Sequence, residues 1–342
     1  MPTTLSPALE YDPVKFIKNN SRLILPAHSK IRNIEFSGFI KKAFHSNKRP
    51  KGVITVTYQT SNSENDLRLF VKQHAKAKQV FNHIAQIYAH FKAAGIDPRI
   101  PKPIICDEKH DVNYMEYIEG SSLTYILLKE LMIGNKIHLE SLFYKIGSWL
   151  KGYHNSFKLE KTFAINTLRE KVTEELNNTD HFKTHEKVTI KANLKDLKLE
   201  DDFLVLVKTH NDFTLRNIIY TKTKSFYVID WDAIYNENFT IESPIWIDIL
   251  SFLISFNSLQ RFSPFITAND LSQYNKSFIT GYFNHSDLKL LMKDINSHLY
   301  FFSLCFYLGV IGEKPLPWLY RDKLGYRYIS ILRRNLIKGY LL

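Results

Sequence analysis

The sequence contains very little cysteine, since Cys106 and Cys305 are the only two in 342 residues. Two cysteines cannot form the disulfide framework of a small secreted domain, so nothing in the composition requires an oxidising compartment. We expect both to be small apolar packing residues. Glycine and proline are also sparse, with 12 of each, which excludes a fibrous or low-complexity protein.

Long apolar runs are absent as well. The longest, residues 299–311, has 13 residues, whereas a membrane-spanning helix needs roughly 20. The first ten residues have neither the basic start nor the apolar run of a signal peptide. We therefore expect a cytoplasmic protein.

Acidic residues are scarce towards both ends of the chain, which has a net charge of +12. Residues 1–100 hold 16 basic and 6 acidic side chains, and residues 313–342 hold 7 and 2. Such a surface attracts phosphates or an anionic membrane face, or is simply a solvated basic surface, and the sequence leaves these alternatives open. Peripheral contact of the basic N-terminal lobe with a membrane is one of these open alternatives. No basic run is interleaved with aromatic residues, so we expect no nucleic-acid partner.

Apolar residues make up 44% of the chain, enough for a sizeable core. β-branched or alternating stretches predict strands at 31–36, 53–58 and 67–72, with a turn at Ser37-Gly38. Helical spacing predicts a helix over 75–94, which would have His83 and His90 on its exposed face. Beyond Gly120 long helical patterns dominate, apart from a strand-like cluster within 203–229. The prediction is an α+β fold with a small strand-rich lobe, 1–118, and a larger helical lobe, 119–342.

The second lobe carries a group of polar residues suited to chemistry. They lie in His210-Asn-Asp212-Phe-Thr-Leu-Arg-Asn217 and in Val228-Ile-Asp230-Trp-Asp232. A predicted hairpin brings the carboxylates of Asp212 and Asp230 and the amide of Asn217 to one end. Phosphoryl transfer needs oxygen ligands for Mg²⁺ and a carboxylate that accepts the proton of the attacking hydroxyl. The alternative is an Asp- and Asn-rich loop that merely caps the hairpin.

These two loops resemble the catalytic and metal-binding loops of the aminoglycoside phosphotransferase-like kinases. That family includes choline, fructosamine and other small-molecule kinases and has the two-lobed protein-kinase fold. The resemblance covers roughly residues 31–250 and is specific at the two loops. It implies an ATP- and Mg²⁺-dependent phosphotransferase in which Asp212 is the catalytic base and Asn217 and Asp230 hold Mg²⁺. It also implies that His210 and Asp248 support the catalytic loop, although Asp248 is alternatively an ordinary first-turn aspartate.

The resemblance extends to a nucleotide site in the first lobe. Residues 114–123 resemble the hinge of the family, where backbone groups of Glu116 and Ile118 would bind adenine. Lys72 would reach the α- and β-phosphates, although a lysine at the end of a strand is ordinarily just solvated. Ser37-Gly38 would be a reduced form of the phosphate-covering turn.

The sequence departs from the family pattern at three places. No Asp or Glu occurs between residues 67 and 96, so the helical glutamate that normally pairs with the strand lysine is missing. Gln79 or Gln86 would substitute for it, or an acid from elsewhere would, or nucleotide binding would be crippled. The phosphate-covering turn is reduced to a single glycine. Leu215-Arg216 replaces the Pro-Gly or Pro-Trp that is frequent in the family, and Arg216 is either a contact to an anionic substrate or phosphate or a solvent-facing arginine.

The predicted acceptor follows from charge. A C-terminal segment of +5 disfavours a polycationic aminoglycoside or a quaternary amine, so we expect a neutral or anionic acceptor such as a sugar or a glycolipid head group. A pseudokinase-type binding or scaffolding protein is the alternative, because the helical glutamate is missing. A protein kinase is less favoured, since no Ala-Pro-Glu sequence follows Asp230. The oligomeric state is not predicted.

Overall fold

The structure is a computed structural model that describes residues 11–41, 49–73, 76–132, 139–160, 164–199, 204–231, 242–261, 267–284, 288–308 and 332–339. The chain divides into two compact units, one within residues 1–120 and 221–232 and the other within 121–220 and 233–342. Asp230 therefore belongs to the N-terminal unit, although the sequence analysis assigned it to the second lobe. No helix within the described ranges is both long and apolar enough to cross a membrane.

The N-terminal unit is built on an antiparallel sheet with the strand order β1-β2-β3-β5-β4. Two short helices precede the sheet, and a longer one follows β3. The elements are α1 (Pro13–Asn19), α2 (Ser21–Ile24), β1 (Lys30–Lys41), β2 (Arg49–Gln59), β3 (Glu64–Gln73), α3 (Ala77–Ala93), β4 (Pro103–Asp107) and β5 (Val112–Glu116). One buried cluster joins sheet and helix, with Ile54, Val56, Leu69 and Val71 from the strands and Ile17 from α1. The predicted strands and helix of this region are confirmed.

The predicted turn at Ser37-Gly38 is wrong, because both residues lie inside β1. Ser37 pairs with Val53, and Gly38 pairs with Gly52 on β2. A glycine weakens a strand without ending it where the neighbouring strand continues the ladder on both sides, and here pairing continues without a break through Gly38. The connection between β1 and β2, residues 42–48, lies outside the described residues.

The prediction that His83 is exposed is also wrong. His83 is 5% exposed, and its ring centroid lies 6.2 Å from that of Trp231. It comes three residues after buried Val80 and four before buried Ile87, so it falls on the same stripe of α3. The exposure predicted for His90 is confirmed.

The second unit is mostly helical. Its helices are α4 (Leu123–Met132), α5 (Leu139–Ser156), α6 (Ile165–Asn178), α7 (Thr184–Lys195), α8 (Trp246–Asn257), α9 (Ala268–Phe283) and α10 (Leu288–Leu308), with a further short helix at 332–338. The remaining strands of the chain are β6 (Gly120–Ser122), β7 (Leu206–Lys208), β8 (Ile218–Thr221), β9 (Phe226–Val228) and β10 (Glu242–Pro244), of which β9 belongs to the N-terminal unit. β7 pairs with β10, and a three-stranded sheet has the order β6-β8-β9.

Aromatic side chains pack α5, α8 and α9 together in the core of this unit. The ring of Phe143 on α5 lies 5.3 Å from that of Phe252 and 4.8 Å from that of Phe256, both on α8. Phe252 in turn stacks on Phe278 of α9 at 4.1 Å. These three helices carry the side chains that hold the candidate active site.

Two glycines allow α5 and α9 to approach closely. A Cβ atom on Gly147 would lie 2.2 Å from the carbonyl oxygen of Phe278, and one on Gly281 would lie 2.0 Å from that of Tyr144. Both contacts are with backbone, which moves only if the helices separate. The glycines therefore set the distance between the two helices.

We expect Gly147→Ala to destabilise the protein by about 1–3 kcal/mol, because the added methyl group overpacks the contact between α5 and α9. Gly152→Ala on the same helix is the matched control, since nothing lies within 4 Å of its added Cβ atom. This control should be neutral or slightly stabilising, because alanine favours a helix over glycine. Urea unfolding of the two variants checks the prediction, and equal midpoints would contradict it.

The helix at 332–338 is attached to α7 through a buried carboxylate. Glu186 accepts the backbone N–H of Lys183 at 2.7 Å, and the Arg333 guanidinium lies 2.5 Å from the same carboxylate oxygen. Arg333 also donates to the carbonyl oxygen of His181 at 3.1 Å. Burial opposes the ionisation of Glu186, but the Lys183 N–H and the Arg333 charge outweigh it and lower the pKa of Glu186 below its ordinary value.

Because the pKa of Glu186 is lower in the folded state than in the unfolded state, its carboxylate stabilises the fold at pH values above the unfolded-state pKa. This contribution is lost as the pH falls through the folded-state pKa. We expect Glu186→Gln to cost about 1–2 kcal/mol near neutral pH. The deficit should shrink between about pH 5 and about pH 3. Glu174→Gln, on the exposed face of α6, is the control. Denaturant unfolding across this range would contradict the account if the deficit did not change with pH.

Candidate active site

The segment between β7 and β8 carries the predicted catalytic residues, and the carboxylate of Asp248 holds it. Asp248 lies in the first turn of α8 and is fully buried. Its Oδ2 accepts the N–H of His210 at 2.7 Å, and its Oδ1 accepts the N–H of Asn211 at 2.8 Å. Charge-assisted bonds from two successive backbone groups fix the course of the loop just before Asp212.

Two further residues, His154 and Tyr282, lie behind Asp248. His154 of α5 lies with its Nε2 3.1 Å from Asp248 Oδ2 and its Nδ1 2.7 Å from the hydroxyl of Tyr282 on α9. Burial, with the charge of Asp248 adding to it, raises the pKa of Tyr282 well above its ordinary value. The hydroxyl therefore keeps its proton and is able to donate to Nδ1, an arrangement in which the Nε2–H of His154 donates to Asp248.

The loop itself is held in a sharply turned conformation. Asn211 has φ +62°, a left-handed backbone that asparagine tolerates better than most residues. Its Oδ1 accepts a bond from the hydroxyl of Thr209 at 2.8 Å. The Nδ1 of His210, a fully buried residue, accepts the N–H of Asp212 at 3.3 Å. His210 thus lies beside Asp212 and contacts its backbone, not its carboxylate.

The carboxylate of Asp212 has one occupied and one unoccupied oxygen. Oδ2 accepts bonds from Asn217 Nδ2 and from Arg216 Nη2, both at 2.8 Å. Oδ1 is buried and accepts no hydrogen bond within the described residues. A buried acceptor without a partner is costly, and such groups are found where a substrate supplies the missing partner. The geometry therefore suits Oδ1 to accept a hydroxyl proton.

The side-chain amide of Asn217 is oriented by Asp212. Its Nδ2 donates to the carbonyl oxygen of Asp212 at 2.9 Å as well as to Oδ2. Because Nδ2 is the atom that donates to Asp212, the amide oxygen of Asn217 remains an acceptor. No hydrogen bond among the described residues engages this oxygen. An amide oxygen is a ligand that Mg²⁺ accepts.

In the N-terminal unit, Lys72 and Asp230 form an ion pair. Lys72 lies near the end of β3, and Asp230 follows β9 with φ +68°. The ammonium contacts Asp230 Oδ1, and the two side chains are 21% and 35% exposed. Gln79 and Gln86, the substitutes considered for the missing helical glutamate, are both exposed on α3. The acid that pairs with Lys72 comes from elsewhere in the chain.

The predicted hinge begins at the end of β5, an interior strand of the sheet, and the predicted phosphate-covering residues lie on the edge strand β1. The N–H of Glu116 donates to the carbonyl oxygen of Lys102 at 2.9 Å. No hydrogen bond among the described residues engages the N–H of half-buried Ile118, which leaves it available to a ligand. Ser37 and Gly38 lie on β1, as described above.

Both predicted metal ligands have the chemistry of a Mg²⁺ site. The carboxylate of Asp230 and the amide oxygen of Asn217 are hard oxygen donors, and one or two such protein ligands suffice when phosphate oxygens complete the shell. Within the described ranges no group of three or more His, Cys, Asp or Glu side chains is placed to bind a metal.

Comparisons with known proteins agree with this chemistry. The family model of the phosphotransferase enzyme family, APH, matches residues 47–240. A solved protein of Ralstonia eutropha that has been assigned as an aminoglycoside phosphotransferase is 11% identical, with a TM-score of 0.54 over 96% of this chain and 97% of its own. The ethanolamine kinase of Plasmodium vivax is 13% identical, with a TM-score of 0.51 over 90% and 84%. No curated protein matches significantly in sequence.

The predicted fold class is confirmed by these structures: an antiparallel-sheet lobe and a larger helical lobe of protein-kinase-like type. The match to the family model spans more than half of the chain and includes Lys72, the His210–Asn217 loop and Asp230. The family predicted from the two loops is confirmed too. The chain belongs to the phosphotransferase enzyme family, and its enzyme class is that of a phosphotransferase with an alcohol group as acceptor.

Proposed function

We propose that the protein transfers the γ-phosphate of ATP to a hydroxyl of a small molecule or glycan, with Asp212 as the base. The observation that carries this proposal is the Asp212 carboxylate, which is fixed through Oδ2 and has a buried Oδ1 to which no described residue donates. A base in this state is oriented before the acceptor arrives.

In the proposed reaction the acceptor hydroxyl donates its hydrogen bond to Asp212 Oδ1. The hydroxyl oxygen forms a bond to the γ-phosphorus as the bond from that phosphorus to the β–γ bridging oxygen breaks. The electron pair of the broken bond leaves with ADP, and the hydroxyl proton passes to Asp212. Phosphoryl transfer needs little covalent help, so alignment of the hydroxyl and neutralisation of charge account for most of the catalysis.

The nucleotide would occupy the N-terminal unit. Lys72 would contact the α- and β-phosphates, and the N–H of Ile118 and the backbone of Glu116 would bind adenine. Ser37 and Gly38, on the edge strand β1, would cover the phosphates. Asn217 and Asp230 would hold Mg²⁺, which supplies positive charge against the phosphate oxygens. The ion pair between Lys72 and Asp230 keeps the phosphate-binding lysine beside a metal ligand before the nucleotide binds.

The proposed acceptor is neutral or anionic, which differs from the amine named for the Plasmodium relative. The support is the net charge of +12 and the guanidinium of Arg216 beside the base. Much of the basic C-terminal segment from which a non-cationic acceptor was first inferred, residues 313–331 and 340–342, lies outside the described residues.

The test is acceptor-dependent release of ADP from Mg·ATP by the purified protein, with sugars, sugar phosphates, amino sugars and choline as acceptors and casein as a protein control. We expect ADP release to rise at least tenfold above the rate without acceptor for one of the small molecules and not for casein. Failure of every small molecule to stimulate ADP release would favour the pseudokinase alternative, and stimulation by casein alone would favour a protein kinase.

A further inference from the structure

We infer that Arg216 makes the site selective for an acceptor that carries an anionic group beside its reactive hydroxyl, an inference that rests on the proposed function. Arg216 immediately precedes Asn217 in the short 3₁₀ turn Leu215–Asn217. Its Nη2 lies 2.8 Å from Asp212 Oδ2. The side chain of Arg216 is 54% exposed, whereas that of Asp212 is only 10% exposed. A positive charge within reach of solvent thus lies directly beside the base.

Arg216 is not needed to orient Asp212. Asn217 Nδ2 already donates to the same carboxylate oxygen at 2.8 Å and ties it to the backbone carbonyl of Asp212 at 2.9 Å. The backbone of Asp212 is held separately by His210. A residue whose only task was to hold the carboxylate would add little to these contacts, and a half-exposed ion pair adds little stability.

The chemistry of a guanidinium defines the group it selects. It is planar, always charged and has five N–H donors, so it forms two parallel bonds to a phosphate or carboxylate. An acceptor whose hydroxyl meets Asp212 Oδ1 brings its neighbouring substituent towards Arg216. An anionic substituent there gains charge-assisted hydrogen bonds, whereas an ammonium meets a like charge at close range.

The experiment compares one sugar in three forms that differ at a single carbon, beginning with glucose, glucose 2-phosphate and glucosamine, and uses the sugar that the wild type phosphorylates best in the acceptor panel. The variants are Arg216→Gln, Arg216→Lys and, as a matched control, Arg334→Gln, which removes the same charge from an exposed position of the helix at 332–338. The measured quantity is kcat/KM for each form, obtained from ADP release.

We expect the wild type to prefer the phosphorylated form to the amino form at least tenfold, and Arg216→Gln to reduce this ratio by about tenfold. Arg216→Lys should retain part of the preference, and Arg334→Gln should retain all of it.

An equal loss for the three forms would overturn the inference, because Arg216 would then act on the base or the nucleotide and not on the acceptor. A wild-type preference for the amino form would also overturn it, while both of these results would leave the proposed function standing. ADP release by the wild type that no acceptor stimulates would overturn the proposed function and the inference with it.

Discussion

Asparagine in place of Asp212 will lower kcat by about a thousandfold, while the dissociation constant of Mg·ATP will change by no more than about threefold. An amide has the size of the carboxylate, but it cannot take the proton of the acceptor hydroxyl. The loop should keep its course, because the backbone bonds to Asp248 and to His210 involve the main chain and not the replaced group. Steady-state kinetics and titration calorimetry measure the two quantities separately.

Asp196→Asn is the control for this substitution, since Asp196 is an exposed aspartate in the same unit. It should have wild-type kcat. Wild-type turnover by Asp212→Asn would exclude Asp212 as the base. An equally large loss of Mg·ATP affinity would show instead that the residue contributes to nucleotide binding.

Removal of the Asp248 side chain will destabilise the protein by about 3–5 kcal/mol, the second largest effect we expect. Asp248→Ala leaves the N–H groups of His210 and Asn211 and the Nε2–H of His154 without an acceptor at a site that water does not reach. Each buried donor without a partner costs about 1–3 kcal/mol. Urea unfolding measures the loss, and a loss no larger than that of Asp196→Asn would contradict the role given to Asp248.

Tyr282→Phe is a milder test of the same chain of hydrogen bonds. It removes only the donor to His154 Nδ1, so we expect a loss of about 1–2 kcal/mol. Because His154 then holds Asp248 less firmly, kcat should fall by several-fold while KM for ATP stays unchanged. Tyr125→Phe on the exposed part of α4 is the control. A variant with lowered stability but wild-type kcat would give Tyr282 a structural role alone.

The catalytic loop was predictable from sequence because its polar residues lie close together along the chain. Asp212 and Asn217 are five positions apart, and Asp248 lies in the first turn of α8, so residue types and spacing indicate the reaction class. The pairing of His154 with Tyr282 was not predicted, since 128 positions separate them and only the packing of α5 on α9 brings them together. Gly147 and Gly281, small residues on these two helices, were a local signal for that packing.

The acid that pairs with Lys72 was missed for a similar reason. A search of the helix after β3 finds no acid, because the partner, Asp230, lies 158 positions further along the chain. The wrong prediction of a turn at Ser37-Gly38 has a different origin. Serine and glycine favour turns locally, but pairing with β2 outweighs that preference. Local signals thus identified the reacting groups, and tertiary packing decided their partners.

The most direct test of the central claim is thermal unfolding of the wild type and of Asp230→Asn with ATP alone, with Mg²⁺ alone and with both. The account predicts that the midpoint of the wild type rises most with both ligands, since a ligand at about 100 times its dissociation constant adds about 2.7 kcal/mol to the folded state. Asp230→Asn should lose the part of the rise that depends on Mg²⁺. A wild-type midpoint that neither ATP nor Mg·ATP changes would contradict a metal-nucleotide site and, with it, the proposed reaction.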